Sequence, residues 1–291
     1  MTAITEPCWI ADMPEVEYHA DPVAERSLSS TMARTLLMPG GPARLHAGLT
    51  FSPQTKRAFD VGHAAHEKIL GRGQGAVPIP EEHLTPSGNV STKKDTVAWL
   101  EEQRAAGMVP LTAADVVMVD DMAEALLAHP IAAELLTRGR GQPELSLFDT
   151  DRRTGRWLRG RIDFLADRLS VCDYKTTGKT VDEDSWGRVS WNLGYHIQAA
   201  QYVRLAVALG VIEPDADFYA IAQEKAPPYL VSVNRFDDEL LAAGHAAVAK
   251  AVTIWDRCLA LGDWPGLPHT IQTISAPRWA QIDDDEDEET F

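Results

Sequence analysis

Hydrophobic and polar positions change period several times along this chain, and each change marks an element. Residues 157–166 and 169–176 are rich in β-branched and aromatic side chains and are separated only by Asp167-Arg168, the pattern of two strands joined by a tight hairpin. A third strand is read at 144–148. Beyond the hairpin, a run of Ala, Val and Leu predicts a helix over 195–209. Strand patterns follow at 217–223 and 229–234, and the helical period returns over 237–261. Upstream of the strand cluster the pattern is helical, interrupted by the Gly-, Pro- and Ser-rich segment 71–92, which reads as a loop and a candidate flap. Helices, a strand cluster and then alternating elements make an α/β pattern. No internal repeat is visible.

A hairpin turn centred near Arg168 places Asp163 roughly opposite Asp173, where facing side chains lie about 4.5–5.5 Å apart. Side chains alternate along a strand, so Asp173 and Lys175 share one face while Cys172 and Tyr174 point to the other. Two carboxylates suit a hard cation such as Mg²⁺, which takes oxygen ligands and leaves positions for water and phosphate. An ammonium beside them can orient water or stabilise developing charge, so the motif carries the minimum chemistry for phosphodiester hydrolysis. Alone it also fits a bland reading, a solvated hairpin edge whose lysine guards against edge pairing. Glu144, in the third strand, is placed to reach the same point. Gln198 and Tyr202 stand at i and i+4 on one helix face.

The length of 291 residues, 45% of them hydrophobic, suffices for one sizeable core, and one main domain is the economical reading. The net charge of −16 sits awkwardly with an anionic substrate, although the run 283–289 alone holds seven acids and no base, the composition of a solvated tail. Basic residues cluster at Arg138 and Arg140, at Arg152, Arg153, Arg156, Arg159 and Arg161, and at Lys175 and Lys179, which predicts a basic track beside the acids. Three scattered cysteines argue against a disulfide framework and against a four-cysteine iron–sulfur cluster. No secretory leader and no apolar run of membrane-spanning length is read, so a cytoplasmic protein is expected.

Taken in order, these motifs resemble a known family. Ser27-Leu28-Ser29-Ser30-Thr31 running on to Pro42-Ala43 comes first, then Gly62-x-x-x-His66 and Pro143-Glu144-Leu145-Ser146. Gly160-Arg161-x-Asp163, Asp173-x-Lys175-Thr176-Thr177, Gln198-x-x-x-Tyr202, Trp264-Pro265 and Pro277-x-Trp279-Ala280 follow. The series is similar to the PD-(D/E)XK nuclease superfamily, specifically the exonuclease VIII branch of phage recombination exonucleases, with lambda exonuclease more distant. The resemblance implies an α/β restriction-endonuclease-like core, a mixed central sheet flanked by helices, over 27–281, with an N-terminal extension at 1–26 and an acidic tail at 282–291. It makes Asp163, Asp173 and His66 metal ligands, with Glu144 a further candidate, and Lys175 the catalytic lysine. His63, one turn away, competes with His66. Gln198, Tyr202 and Arg161 fall to DNA contacts. The implied metal is Mg²⁺, with Mn²⁺ the alternative because imidazole suits it better. The implied activity is 5′ to 3′ digestion of double-stranded DNA from an end, by a ring-shaped homo-oligomer in a bacterial host's cytoplasm, leaving 3′ strand for an annealing protein. Two rivals stand beside it: a non-catalytic protein that binds DNA ends or a partner, and a structure-specific endonuclease of the same fold.

Overall fold

The computed structural model describes residues 3–50, 57–71, 75–137 and 141–276; the acidic run 283–289, the Pro277 motif and the Arg138 and Arg140 cluster lie outside the described residues. The elements in chain order are β1 (Cys8–Ile10), α1 (Glu15–His19), α2 (Ser30–Leu37), α3 (Gly41–Thr50), α4 (Arg57–Leu70), β2 (Gly75–Pro78), α5 (Lys94–Ala105), β3 (Met108–Leu111), α6 (Ala113–Ala128) and α7 (Pro130–Leu135). Next come β4 (Gln142–Thr150), β5 (Trp157–Asp167), β6 (Ser170–Thr177), α8 (Glu183–Leu193), α9 (Tyr195–Ala208), β7 (Asp217–Glu224), β8 (Val231–Arg235) and α10 (Asp238–Leu261).

Six strands form the central sheet in the order β1-β4-β5-β6-β7-β8. Every neighbouring pair is antiparallel except β6 and β7, whose parallel pairing requires a crossover, supplied by α8 and α9. The mixed, helix-flanked sheet is the α/β architecture expected. On one face α2, α9 and α10 cover Leu145, Leu147, Leu158, Ile162 and Val171; on the other, α4, α6 and α7 cover Phe164, Cys172, Tyr174 and Ile221. Trp186 and Trp255, both fully buried, anchor the first layer, and truncating either would cost roughly 3–5 kcal/mol. Asp237 caps α10 by accepting the Leu240 N–H, and Asp182 caps α8 by accepting the Ser185 N–H, each satisfying a donor the helix leaves open.

Ahead of Ser27, β1 pairs with β4 as an edge strand, and Met13, Tyr18 and Val23 pack on Phe148 and Trp157. One expectation changes: the segment read as a loop holds a strand, β2, which pairs in parallel with β3.

The consequential irregularity lies between β5 and β6. Their ladder holds only at Phe164–Cys172, Leu165–Val171 and Asp167–Ser170, then opens. Beyond the opening the chain around Leu28 takes up position along β5, its N–H donating to Trp157 O at 2.9 Å while Arg159 N–H donates to Leu28 O at 3.1 Å. The Gln201 side chain of α9, fully buried, donates to both Leu28 O at 2.9 Å and Arg159 O at 2.8 Å. The two hairpin strands therefore form a fork.

Candidate active site

Asp163 stands where the fork opens. In place of a backbone carbonyl, its Oδ2 accepts the Tyr174 N–H at 2.9 Å, so the carboxylate substitutes for the missing rung. Asp173 projects from β6 into the gap with 1% exposure, and Lys175, two residues on, puts Nζ 2.6 Å from Asp173 Oδ2 and 3.8 Å from Asp163 Oδ2. The structure brings these three side chains together, but turn length alone does not set the register: the turn is Arg168-Leu169, one residue later than expected, and the irregularity between Leu165 and Asp167 shifts the ladder so that Asp163 comes level with Asp173.

His66 reaches the fork from α4. Its Nε2 lies 2.9 Å from Asp163 Oδ2 and its Nδ1 3.2 Å from Glu144 Oε1. His63 lines the same cavity, of about 200 Å³, but His66 is the one that meets the acids. Gly62 explains the spacing: a Cβ there would stand 3.3 Å from Thr176 Oγ1, so its bareness lets α4 lie close enough to β6 for His66 to reach across. Glu144 has φ +54°, a left-handed conformation unfavourable for a glutamate, and it sits where the β4–β5 ladder skips between Pro143–Phe164 and Leu145–Ile162. The kink turns its carboxylate to His66 and to the Arg161 Nε.

The far wall comes from α9. Gln198 Nε2 contacts Asp173 Oδ1 at 3.0 Å and the Tyr202 hydroxyl at 3.2 Å, uniting two residues singled out by their i, i+4 spacing. Two aromatic residues were missed. Tyr195, whose ring centre lies 5.5 Å from Lys175 Nζ, is three residues before Gln198 and was legible as part of the same helix face. Tyr18, buried under Arg159 and Arg161, gave no signal because it comes from the N-terminal segment.

Burial sets the electrostatics. Desolvation pulls the His66 imidazole down, but the Asp163 and Glu144 carboxylates outweigh it and hold its pKa at about 10. Desolvation pushes Asp163 up, yet His66 and Lys175 together hold it well below the ordinary carboxylate range. Asp173 is raised to about 7 by burial and by the neighbouring Asp163 charge, against the pull of Lys175. Lys175, despite its burial, is held above its ordinary value by the two acids.

Three arginines of the expected basic track are held by acids. Arg156 pairs with Asp256 at 2.8 Å, Arg159 with Asp21 at 2.8 Å and Arg161 with Glu144. Arg161 lines the cavity, and its Nη1 has no hydrogen-bond partner among the described residues.

No three His, Cys, Asp or Glu side chains among the described residues stand as a ready-made metal cage. The carboxylate oxygens are turned instead on to His66, Lys175 and the Tyr174 amide. The donor chemistry nonetheless fits a divalent cation: two oxygen-donating acids converge with an imidazole, and the cations now holding them show where positive charge is favoured.

A family model described as a PDDEXK-like domain of unknown function (DUF3799) matches residues 42–277. Among solved structures, the chain is similar to a candidate exonuclease from Eubacterium rectale, with a TM-score of 0.61 at 12% identity, covering 91% of this chain and 96% of that one. A phage-related exonuclease from Haemophilus somnus aligns with a TM-score of 0.32 at 14% identity, over 81% of this chain and 96% of that one. No curated protein sequence matches the chain.

Proposed function

This chain belongs to the PDDEXK-like domain family, and from that membership we propose that it is a divalent-metal-dependent nuclease that digests double-stranded DNA from an end, in the 5′ to 3′ direction. The observation that carries the reading is the convergence of Asp163, Asp173 and Lys175 in the β5–β6 fork. A binding module has no need of a half-buried lysine fixed between two acids.

Asp163 and Asp173 would hold the cation with His66 as a third donor; when bound, it would neutralise charge on the scissile phosphate and lower the pKa of water. Lys175 orients the attacking water and stabilises developing negative charge, a role that its raised pKa supports by keeping it protonated. Gln198 and Tyr202 fix the rotamer of Asp173. Arg161 and His66 hold Glu144 beside the acids, where it would serve as a further acidic donor to a bound cation. In the same proposal the active form is a ring-shaped oligomer that leaves 3′ single strand for an annealing protein, with Mg²⁺ the metal and Mn²⁺ a substitute.

Linear duplex DNA beside a covalently closed circle, each with Mg²⁺ and with EDTA, tests the reading. Metal-dependent loss of the linear form alone is expected. Nicking of the circle would establish an endonuclease instead, and binding to ends without digestion would establish the non-catalytic rival.

A further inference from the structure

Beside the α4 histidines, one wall of the active-site cavity comes from α1, through Glu15, Tyr18 and His19. These residues precede residue 42, where the match to the family model begins, so that match gives them no part in the chemistry. Tyr18 is the buried member, with 6% exposure. Its ring is packed closely: the Arg159 and Arg161 guanidinium carbons lie 5.7 and 5.5 Å from its centre, His19 meets it edge-on at 5.3 Å, and Phe148 stands at 6.1 Å. The segment that carries it is tied down on both sides. Before it β1 pairs with β4, and after it Asp21 accepts the Ser27 N–H at 2.9 Å and pairs with Arg159 at 2.8 Å.

The ring is therefore fixed, yet its hydroxyl makes no hydrogen bond among the described residues. Nor is it among the unpartnered polar atoms sealed from solvent, so it opens on the cavity. A buried phenol ordinarily finds a partner, because a donor taken from water without one goes uncompensated. The acceptors beside it are engaged elsewhere: Glu144 with His66 and Arg161, and Asp163 with His66 and the Tyr174 amide. Burial and the nearby Tyr202 phenol raise the Tyr18 pKa above its ordinary value, so the hydroxyl keeps its proton and is available to donate.

The same cavity, of about 200 Å³, is walled by Asp163 and His66. A phosphate brought to those groups carries non-bridging oxygens that only accept hydrogen bonds, and in so small a space they come within reach of a donor on the α1 wall. We infer that the Tyr18 hydroxyl donates a hydrogen bond to a non-bridging oxygen of the scissile phosphate, which makes Tyr18 a substrate-positioning residue supplied by the segment ahead of the family match. The inference rests on the nuclease reading and adds to it a phosphate contact outside the Asp163, Asp173 and Lys175 motif.

Tyr18→Phe tests it by removing one oxygen and leaving the ring among its neighbours. Tm in EDTA should be unchanged or higher, because no hydrogen bond of the fold is lost. On linear duplex DNA in Mg²⁺, kcat should fall roughly 10- to 100-fold, the range for a hydrogen bond to a charged group. KM should stay within about twofold, since the hydroxyl meets only the phosphate being cut. The shape of the pH profile should be preserved, because a donor that stays protonated adds no ionisation. A wild-type kcat in Tyr18→Phe would overturn the contact. So would a lowered Tm, which would show that the hydroxyl already serves the fold, a defect confined to KM, or a lost limb of the pH profile. Wild-type protein that neither binds nor cuts DNA would instead overturn the nuclease reading itself.

Discussion

Gly160→Ala probes the coupling between core packing and the site. Gly160 lies on β5 opposite Leu147, facing α9, and an added Cβ would stand 2.8 Å from Tyr202 Cδ1 and 3.1 Å from Leu205 Cδ1. The shorter approach falls about half an ångström inside ordinary contact distance. Neither neighbour yields freely: Tyr202 and Leu205 are buried, and the Tyr202 hydroxyl is in contact with Gln198. The helix must retreat, at a cost typical of overpacking, about 1–3 kcal/mol. Retreat pulls Gln198 from Asp173, and displacements approaching an ångström at a reacting centre cost up to about a hundredfold in rate. Urea unfolding should therefore show a lowered midpoint with an unchanged slope, and digestion of linear DNA should fall by roughly 10- to 100-fold. Gly187→Ala is the control, because a Cβ there meets nothing within 4 Å inside α8 and should stabilise by about 0.4–1 kcal/mol. A Gly160→Ala protein with stability within about 0.5 kcal/mol of wild type and full activity would refute the close approach of α9 to β5.

Gln201→Ala removes a buried donor from two carbonyls, Leu28 O and Arg159 O, and should lower stability by about 1–3 kcal/mol in the same urea assay. The folded-state pKa of His66 is raised to about 10, so its stabilisation is fully present below about pH 6.5 and lost as pH climbs through about 10. In EDTA, Tm should fall over that window, and His66→Gln should flatten the fall; identical profiles would contradict the pairing. A metal that recruits His66 must displace the same proton, so Mg²⁺ or Mn²⁺ affinity measured by calorimetry should tighten from pH 6 to pH 9, whereas a flat profile would exclude His66 as a ligand.

The approach of Asp163, Asp173 and Lys175 was legible because the hairpin is short, and the structure places them together. The exact register was not: the turn is Arg168-Leu169, and only the irregularity between Leu165 and Asp167, which has no sequence signature, brings Asp163 level with Asp173. The helix read at 237–261 matches α10, where a cap and 24 residues of helical period leave little ambiguity. Elements of three and four residues, β1, β2 and β3, escaped because they are too short to display a period, and their pairing partners lie far along the chain. The strand read from 229 begins instead at Val231, since Tyr229 adopts φ +60°. The arginine cluster misled for a related reason: sequence shows Arg156 beside Arg159 but not Asp256, a hundred residues away, that neutralises it. The left-handed backbone of Glu144 has no sequence signature at all. Among the described residues no helix is long and apolar enough to cross a membrane, in line with the hydropathy pattern.

The most direct test of the account is release of a 5′ label from linear duplex DNA, with Mg²⁺ and with EDTA, by wild type, Asp163→Asn and Lys175→Met, each verified as folded by its cooperative thermal transition. Metal-dependent release by wild type, reduced at least about a thousandfold in both variants, is the predicted result. No release by wild type in Mg²⁺ or Mn²⁺, or undiminished release by either folded variant, would contradict the assignment of the fork as a nuclease site.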